Sequence, residues 1–203
     1  CAELIKTCVL TSDHPKELEF VFYIDNDDNA SKEYFAELVP YLKSRDESDI
    51  KIVTGDRIVL SETWNKCMDV AEGDILFHCG DDIRFRTEGW DTIVRNKFNE
   101  FDDRIVFVFG TDGLHPPGSF GTHGFIHRKW VEAVGYFVPP YFSSDYNDNW
   151  LNDVGKDIKR YEHIDIYTEH MHPIAHKHFW DKTHLERLER HKNDNVAALY
   201  DEL

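Results

Sequence analysis

The stretch Gly73–Phe85, "GDILFHCGDDIRF", runs apolar through Ile75 and Phe77 and then carries two adjacent carboxylates, Asp81 and Asp82, directly after a glycine. A short, continuously apolar segment is typical of a strand that is buried on both faces, so we expect a central parallel strand here. Adjacent carboxylates repel each other and favour water or a cation over an apolar wall. A divalent metal at the end of this strand would supply the counter-charge.

Strand and helix patterns alternate on both sides of this stretch, which predicts an α/β fold with a central, mostly parallel sheet flanked by helices. Strands are predicted at 18–25, 49–55, 104–110 and 163–173, and helices at 31–44, 61–73, 88–101 and from about 183 onward. The chain opens on a helix-like segment, so we expect the first strand of such a fold to be missing from it or another element to take its place. The loops at the carboxyl ends of the strands should form the ligand crevice.

Length, composition and charge limit the classes of function. A chain of 203 residues with 41% hydrophobic residues is long enough for one sizeable core, so residues 1–203 are predicted to form a single domain. The formal charge of −16 disfavours an extended nucleic-acid surface. The chain has no apolar run near the roughly 20 residues that span a bilayer, so we expect no membrane span and a cytoplasmic location.

Carboxylates near other predicted element ends are further candidates. Asp25, at the end of a strand, could accept hydrogen bonds from a nucleobase or a ribose; the alternative is a solvated acidic turn that caps the next helix. Asp145 and Asp148 lie among aromatic residues, where either could serve as a general base for an acceptor hydroxyl. Capping of a helix start explains this pair equally well.

The segment "EHMHPIAHKHFWD" holds four histidines, His170, His172, His176 and His178. Alternation along a strand would point His170 and His172 to one face, where they could bind a metal. The alternative is a set of solvent-facing or core histidines, since the chain has 12 histidines in all.

Taken together, "FVFYIDNDD", "GDRIVLSETWNKCMDVAEGDILFHCGDDIRF", "THGFIHRKWVEAVGYF" and "EHMHP" resemble the family-two-like glycosyltransferases of GT-A fold, especially compact members from bacteria and phages. The resemblance is strongest from Gly55 to Asp91, with an asparagine-bearing helix, an "A-x-GD" turn and a strand that ends in a DxD-type metal-binding motif. It implies a nucleotide-sugar donor, for which we expect a UDP-sugar, a hydroxyl acceptor, Mn²⁺ or Mg²⁺, and transfer with inversion. Such an enzyme would act in a bacterial cytoplasm or that of a phage-infected host.

The resemblance also assigns roles by position, with the donor half at about 1–110 and the acceptor half at about 111–203. The residues implied at the donor are Asp25, Asp27, Arg57, Asn65 and Asp81. The residues implied at the metal are Asp82 and a late histidine, with His172 ahead of His170. Asp148, ahead of Asp145, is implied as the catalytic base.

Two departures from the family pattern stand out. Gly80 lies where the outer aspartate of a DxD motif would be, and the usual "ED" base motif reads "SSD" or "YND". Three other classes of function stay open: a nucleotidyltransferase on a similar sheet, a metal-dependent hydrolase that uses the histidine and aspartate clusters, and a noncatalytic carbohydrate-binding module.

Overall fold

The computed structural model of the chain describes residues 1–45, 48–143, 145–173 and 182–202. This part of the chain forms eight α-helices and seven β-strands, which confirms the predicted α/β class. The helices are α1 (Ala2–Leu10), α2 (Asn29–Arg45), α3 (Leu60–Val70), α4 (Trp90–Asn99), α5 (Arg128–Val134), α6 (Asn147–Asp157), α7 (Lys182–Asp194) and α8 (Val196–Asp201). The strands are β1 (Glu19–Asp25), β2 (Asp49–Gly55), β3 (Ile75–His78), β4 (Ile83–Phe85), β5 (Phe107–Thr111), β6 (Gly124–His127) and β7 (Tyr161–His170).

β1 and β2 form a separate two-stranded parallel sheet, connected by the crossover helix α2. Phe35 of α2 packs with Ile24 and Ile50, so the helix covers one face of this pair. Parallel strands end at the same edge, and Asp25 accordingly lies opposite Gly55 in the register. This pairing brings the predicted donor carboxylates next to the turn that carries Arg57.

The other five strands form a mixed sheet in the order β3-β6-β5-β7-β4. Only β5 and β7 pair in parallel, and the other three neighbouring pairs are antiparallel. The prediction of a mostly parallel central sheet is therefore wrong. β3 is also not a central parallel strand, because β6 is its one partner among the described residues and runs antiparallel to it.

The unexpected position of β3 follows from β6, a four-residue strand that the sequence patterns did not reveal. β6 returns after a loop rich in glycine and proline and inserts between β3 and β5. Two glycines allow this close approach, since a Cβ atom on Gly124 would overlap the buried Phe107 ring and one on Gly121 would lie 2.7 Å from Cγ of Phe109. His123, the residue just before β6, is buried.

The mixed sheet takes β3, β4 and β5 from the predicted donor half and β6 and β7 from the predicted acceptor half. The two halves therefore share one sheet, while the extent of the domain stays a prediction. The opening segment is helical as predicted, and α1 packs beside β4, with Cys8 accepting a hydrogen bond from Trp90 through its carbonyl. No helix in the described ranges is both long and apolar enough to cross a membrane.

Candidate functional site

Asp82 and His170 meet at one end of the mixed sheet. Asp82 directly precedes β4, His170 is the last residue of β7, and Ile83 pairs with His170 in the register of these strands. The Oδ2 atom of Asp82 lies 3.2 Å from Nε2 of His170. Burial alone would raise the pKa of Asp82, but the hydrogen bond with His170 and the charge of that ring outweigh it and lower this pKa to about 2. Asp82 is therefore a carboxylate at neutral pH, as the metal prediction requires.

Two more histidines surround this pair. The ring centroid of His170 lies 4.6 Å from that of His123 and 5.0 Å from that of His172. Strand alternation does not align His170 with His172, because β7 ends at His170; the chain beyond the strand brings the rings together. His123 was missed in the sequence, where its signal was a histidine next to a glycine at the start of an apolar segment.

Two imidazole nitrogens of this cluster, one of His123 and one of His170, are not satisfied by the described residues. Among the described residues, neither Nε2 of His123 nor Nδ1 of His170 has a hydrogen-bond partner, and both atoms are buried. Burial, aided by the neighbouring His170 and His78, lowers the pKa of His123 well below its ordinary value, so this ring is neutral. Buried polar atoms without partners cost free energy, and neutral imidazole nitrogens are good metal ligands.

Gly80 leaves room for the carboxylate of Asp82. A Cβ atom at residue 80 would lie 2.6 Å from Oδ1 of Asp82, so any larger residue would displace that carboxylate. An outer aspartate at this position is therefore incompatible with the observed place of Asp82. Asp81, in contrast, has a side chain that is 66% exposed, and its Oδ2 atom lies 3.2 Å from Sγ of Cys1.

Asp25, Asp27 and Arg57 come together at the carboxyl edge of the β1–β2 pair. The Arg57 guanidinium lies 3.4 Å from Oδ2 of each of the two aspartates and 3.3 Å from Oε2 of Glu186 on α7. The Arg57 side chain is 49% exposed, so these contacts are weak ion pairs that an anionic ligand could replace.

Asn65 is placed differently from the other predicted donor residues. Its amide nitrogen donates to the carbonyls of Ser61 and Val138, and its amide oxygen accepts from the backbone nitrogens of Phe137 and Val138. These four bonds use the full hydrogen-bonding capacity of the amide. Asn65 therefore ties α3 to the loop after α5 and has no remaining donor or acceptor for a ligand.

Asp148 and Asp145 flank the start of α6. Asp148 lies in the first turn of the helix and is partly buried, and its Oδ1 atom accepts a hydrogen bond of 2.9 Å from Asn149. Burial, together with the charge of Asp145, raises the pKa of Asp148 to about 6. Asp145 lies 3.5 Å from Nε of Arg187 on α7. A carboxylate with a pKa near neutrality suits a general base.

Asp112 connects His170 to the loop that carries His115, and sequence patterns missed it. It follows β5, and because β5 and β7 are parallel, its carbonyl accepts a hydrogen bond of 2.9 Å from the backbone nitrogen of His170. Its carboxylate binds the loop that leads to His115 and Thr122. The signal in the sequence was an aspartate directly after a strongly apolar strand, whereas Asp25 is itself the last residue of β1.

The remaining predicted candidates, His176 and His178, lie outside the described residues. Within the described ranges, no group of three or more His, Cys, Asp or Glu side chains is already arranged to hold a metal ion. Comparison of the whole chain with protein-family models and with curated proteins found no match.

Proposed function

We propose that this chain is a metal-dependent glycosyltransferase of GT-A fold that moves a sugar from a nucleotide-sugar donor, such as a UDP-sugar, to an acceptor hydroxyl with inversion. The observation that carries the proposal is the cluster of Asp82, His123 and His170, in which two buried imidazole nitrogens lack hydrogen-bond partners among the described residues. Buried imidazole nitrogens without partners beside an ionised carboxylate favour a set of metal ligands over a structural core.

The atoms of this cluster fit a divalent transition metal. Asp82 would bind through a carboxylate oxygen and His123, His170 and His172 through imidazole nitrogens, a mixed set that suits Mn²⁺ better than Mg²⁺. A change of side-chain rotamers would be needed, since the described side chains do not already form a closed site. When bound, the metal would neutralise the negative charge that develops on the departing diphosphate.

The β1–β2 pair supports a neighbouring donor site. Asp25 and Asp27 offer carboxylates that can accept hydrogen bonds from a ribose or a base, and Arg57 offers a guanidinium suited to phosphate oxygens. To bind the phosphates of the donor, Arg57 would have to give up its weak ion pair with Glu186.

Asp148 supports the catalytic step on the acceptor side. Its pKa of about 6 leaves it ionised at neutral pH yet able to take the proton of an attacking hydroxyl. Removal of that proton lets the hydroxyl oxygen attack the anomeric carbon from the side opposite the leaving diphosphate, which inverts the configuration in one step.

A metal-dependent hydrolase is a second candidate, because the same cluster of one aspartate and several histidines would also suit a metal-activated water. A thermal-shift screen separates the two. At a concentration 100 times Kd, a ligand that binds only the folded state adds about 2.7 kcal/mol of stability, which is roughly 5–10 °C in Tm for a chain of this size.

For a glycosyltransferase, we expect such a shift with UDP or a nucleotide sugar in the presence of Mn²⁺, and a much smaller shift with either ligand alone. Asp82→Asn is the matched control and should lose the combined shift. If Mn²⁺ alone stabilises the protein, nucleotides add nothing, and simple sugar esters are cleaved, the hydrolase is correct. The absence of any shift with all nucleotides and Mn²⁺ would contradict the proposal.

A further inference from the structure

A cavity of about 350 Å³ lies between α3 and the loop that follows α5. This volume is within the range of small-molecule sites in proteins. Asn65 lies in its wall and joins the two sides, because its amide group forms hydrogen bonds of 2.9 to 3.3 Å with the backbone of Phe137 and Val138. The cavity is therefore preformed, which lowers the cost of binding a ligand. The residues that the proposed function uses are not among the described residues that line it.

Apolar and aromatic side chains make up most of the lining. They are those of Val59, Met68, Val131, Tyr136, Phe137 and Pro140. The Tyr136 ring packs against two other aromatic rings, with its centroid 5.5 Å from that of Trp150 and 6.0 Å from that of Tyr141. These contacts hold an aromatic ring in the wall of the cavity. The face of such a ring attracts a positive charge through its quadrupole, while the neighbouring apolar side chains favour a hydrocarbon body.

Two carboxylates of α3, those of Glu62 and Asp69, supply the charge of the lining. These positions are about two helical turns apart, so both side chains lie on the same face of α3. Asp69 is exposed and has neither an ion pair nor a side-chain hydrogen bond in the part of the chain that the structure describes. Glu62 lies 3.1 Å from Lys66, but about half of each of these side chains is exposed, so their ion pair is weak. No basic residue of the described ranges lines the cavity.

An apolar cavity with an aromatic wall and uncompensated carboxylates suits a ligand that is both hydrophobic and positively charged. We propose that this cavity binds a small organic cation, an ammonium or guanidinium group on an aliphatic body, with the charged group near Glu62 and Asp69. The aliphatic body packs against Met68, Val131 and Tyr136. An anion would be repelled by the two carboxylates and by the formal net charge of −16, and a neutral ligand would leave the carboxylates uncompensated. The site is separate from the proposed donor and metal sites and does not rest on the proposed function.

Titration of the ¹⁵N-labelled protein with three organic cations tests the site. The cations are agmatine, spermidine and choline, each followed in ¹H–¹⁵N NMR spectra at low ionic strength, where charge attraction is least screened. We expect saturable shifts that are largest for residues 59–69 and 131–140, which contain the lining, and weaker binding as salt is added. Glucose, which is neutral, and glutarate, which is an anion, should bind much more weakly.

Substitutions in the lining test the charge and the ring separately. Glu62→Gln and Asp69→Asn should each weaken agmatine binding by about two- to fivefold, the scale of an exposed ion pair. Tyr136→Leu keeps an apolar side chain and removes the ring, so it should weaken binding by a similar factor. Glu37→Gln is the matched control, since Glu37 is exposed on α2, does not line the cavity and loses the same charge. This control should bind agmatine as the wild type does.

The absence of saturable binding for all three cations would overturn the inference. Shifts centred outside residues 59–69 and 131–140, or glucose or glutarate bound as tightly as agmatine, would also overturn it. An effect of Glu37→Gln equal to that of Asp69→Asn would do the same, because it would show attraction to the net charge alone. These measurements use no nucleotide sugar, so their outcome is independent of the outcome for the proposed function.

Discussion

Replacing Asp148 by asparagine should raise the free energy of unfolding at neutral pH while it lowers turnover. The pKa of Asp148 is about 6 in the folded protein because the carboxyl is partly buried and lies near Asp145. An aspartate in an unfolded chain has a pKa of about 3.9. The folded state therefore holds this proton more tightly than the unfolded state, and the folded protein bears a cost whenever the carboxyl is ionised.

The pKa difference sets the size of the effect. About two pKa units correspond to at most about 2.7 kcal/mol. The stabilisation is present below pH 4 and is lost as the pH rises through 6. The carboxyl is only partly enclosed, so we expect about 1–2 kcal/mol of added stability from Asp148→Asn above pH 7. The hydrogen bond from Asn149 does not offset this gain, because an amide oxygen can accept it equally well.

Urea unfolding at pH 5.0 and pH 7.5 measures the difference directly. The gain of Asp148→Asn over wild type should be larger at pH 7.5 and should shrink as the pH falls through 6. Asp102→Asn, at an exposed turn after α4, should change the free energy of unfolding by less than about 0.5 kcal/mol at either pH. Single-turnover donor hydrolysis by Asp148→Asn should fall by about 10² or more. The gain is the free energy of unfolding of Asp148→Asn minus that of the wild type. A gain that is smaller at pH 7.5 than at pH 5.0 would refute the reasoning.

Three other substitutions test the rest of the site. Asp82→Asn should abolish Mn²⁺-dependent UDP binding in calorimetry with an unchanged circular dichroism spectrum, because the charge is lost and the shape is kept; unaltered affinity would remove Asp82 from the metal site. Gly80→Ala should weaken the same binding by about tenfold or more, since its Cβ atom would lie 2.6 Å from Oδ1 of Asp82 and push the carboxylate away from His170; wild-type affinity would contradict this. Asn65→Ala should lower the free energy of unfolding by about 3 kcal/mol through its four lost backbone hydrogen bonds and leave UDP affinity unchanged; lost affinity at full stability would return Asn65 to the donor site.

Local patterns were sufficient for α3, β1 and β2 but not for the large sheet. The helical spacing of α3 and the strand patterns of β1 and β2 depend on neighbouring residues, and all three form as predicted. The position of β3 depends instead on β6, which joins it from about 50 residues further along the chain. Periodicity carries no information about such a pairing, so the antiparallel insertion of β6 was missed.

The same distinction holds within the site. Asp82, His170 and His172 were predicted as one group from the family resemblance, and the structure places them side by side. His123 and Asp112 join this region only because β5, β6 and β7 are neighbours in the sheet, an arrangement that the sequence patterns did not predict. The metal and catalytic roles of all these residues stay predictions.

The release of UDP from a UDP-sugar, followed with and without Mn²⁺ in the wild type and in Asp82→Asn, tests the central claim most directly. We predict slow release by the wild type with water as the acceptor, strict dependence on Mn²⁺, inverted configuration at the anomeric carbon of the released sugar, and no release by Asp82→Asn. Equal release without Mn²⁺ or by the variant, or no release from any nucleotide sugar under these conditions, would contradict a metal-dependent glycosyltransferase.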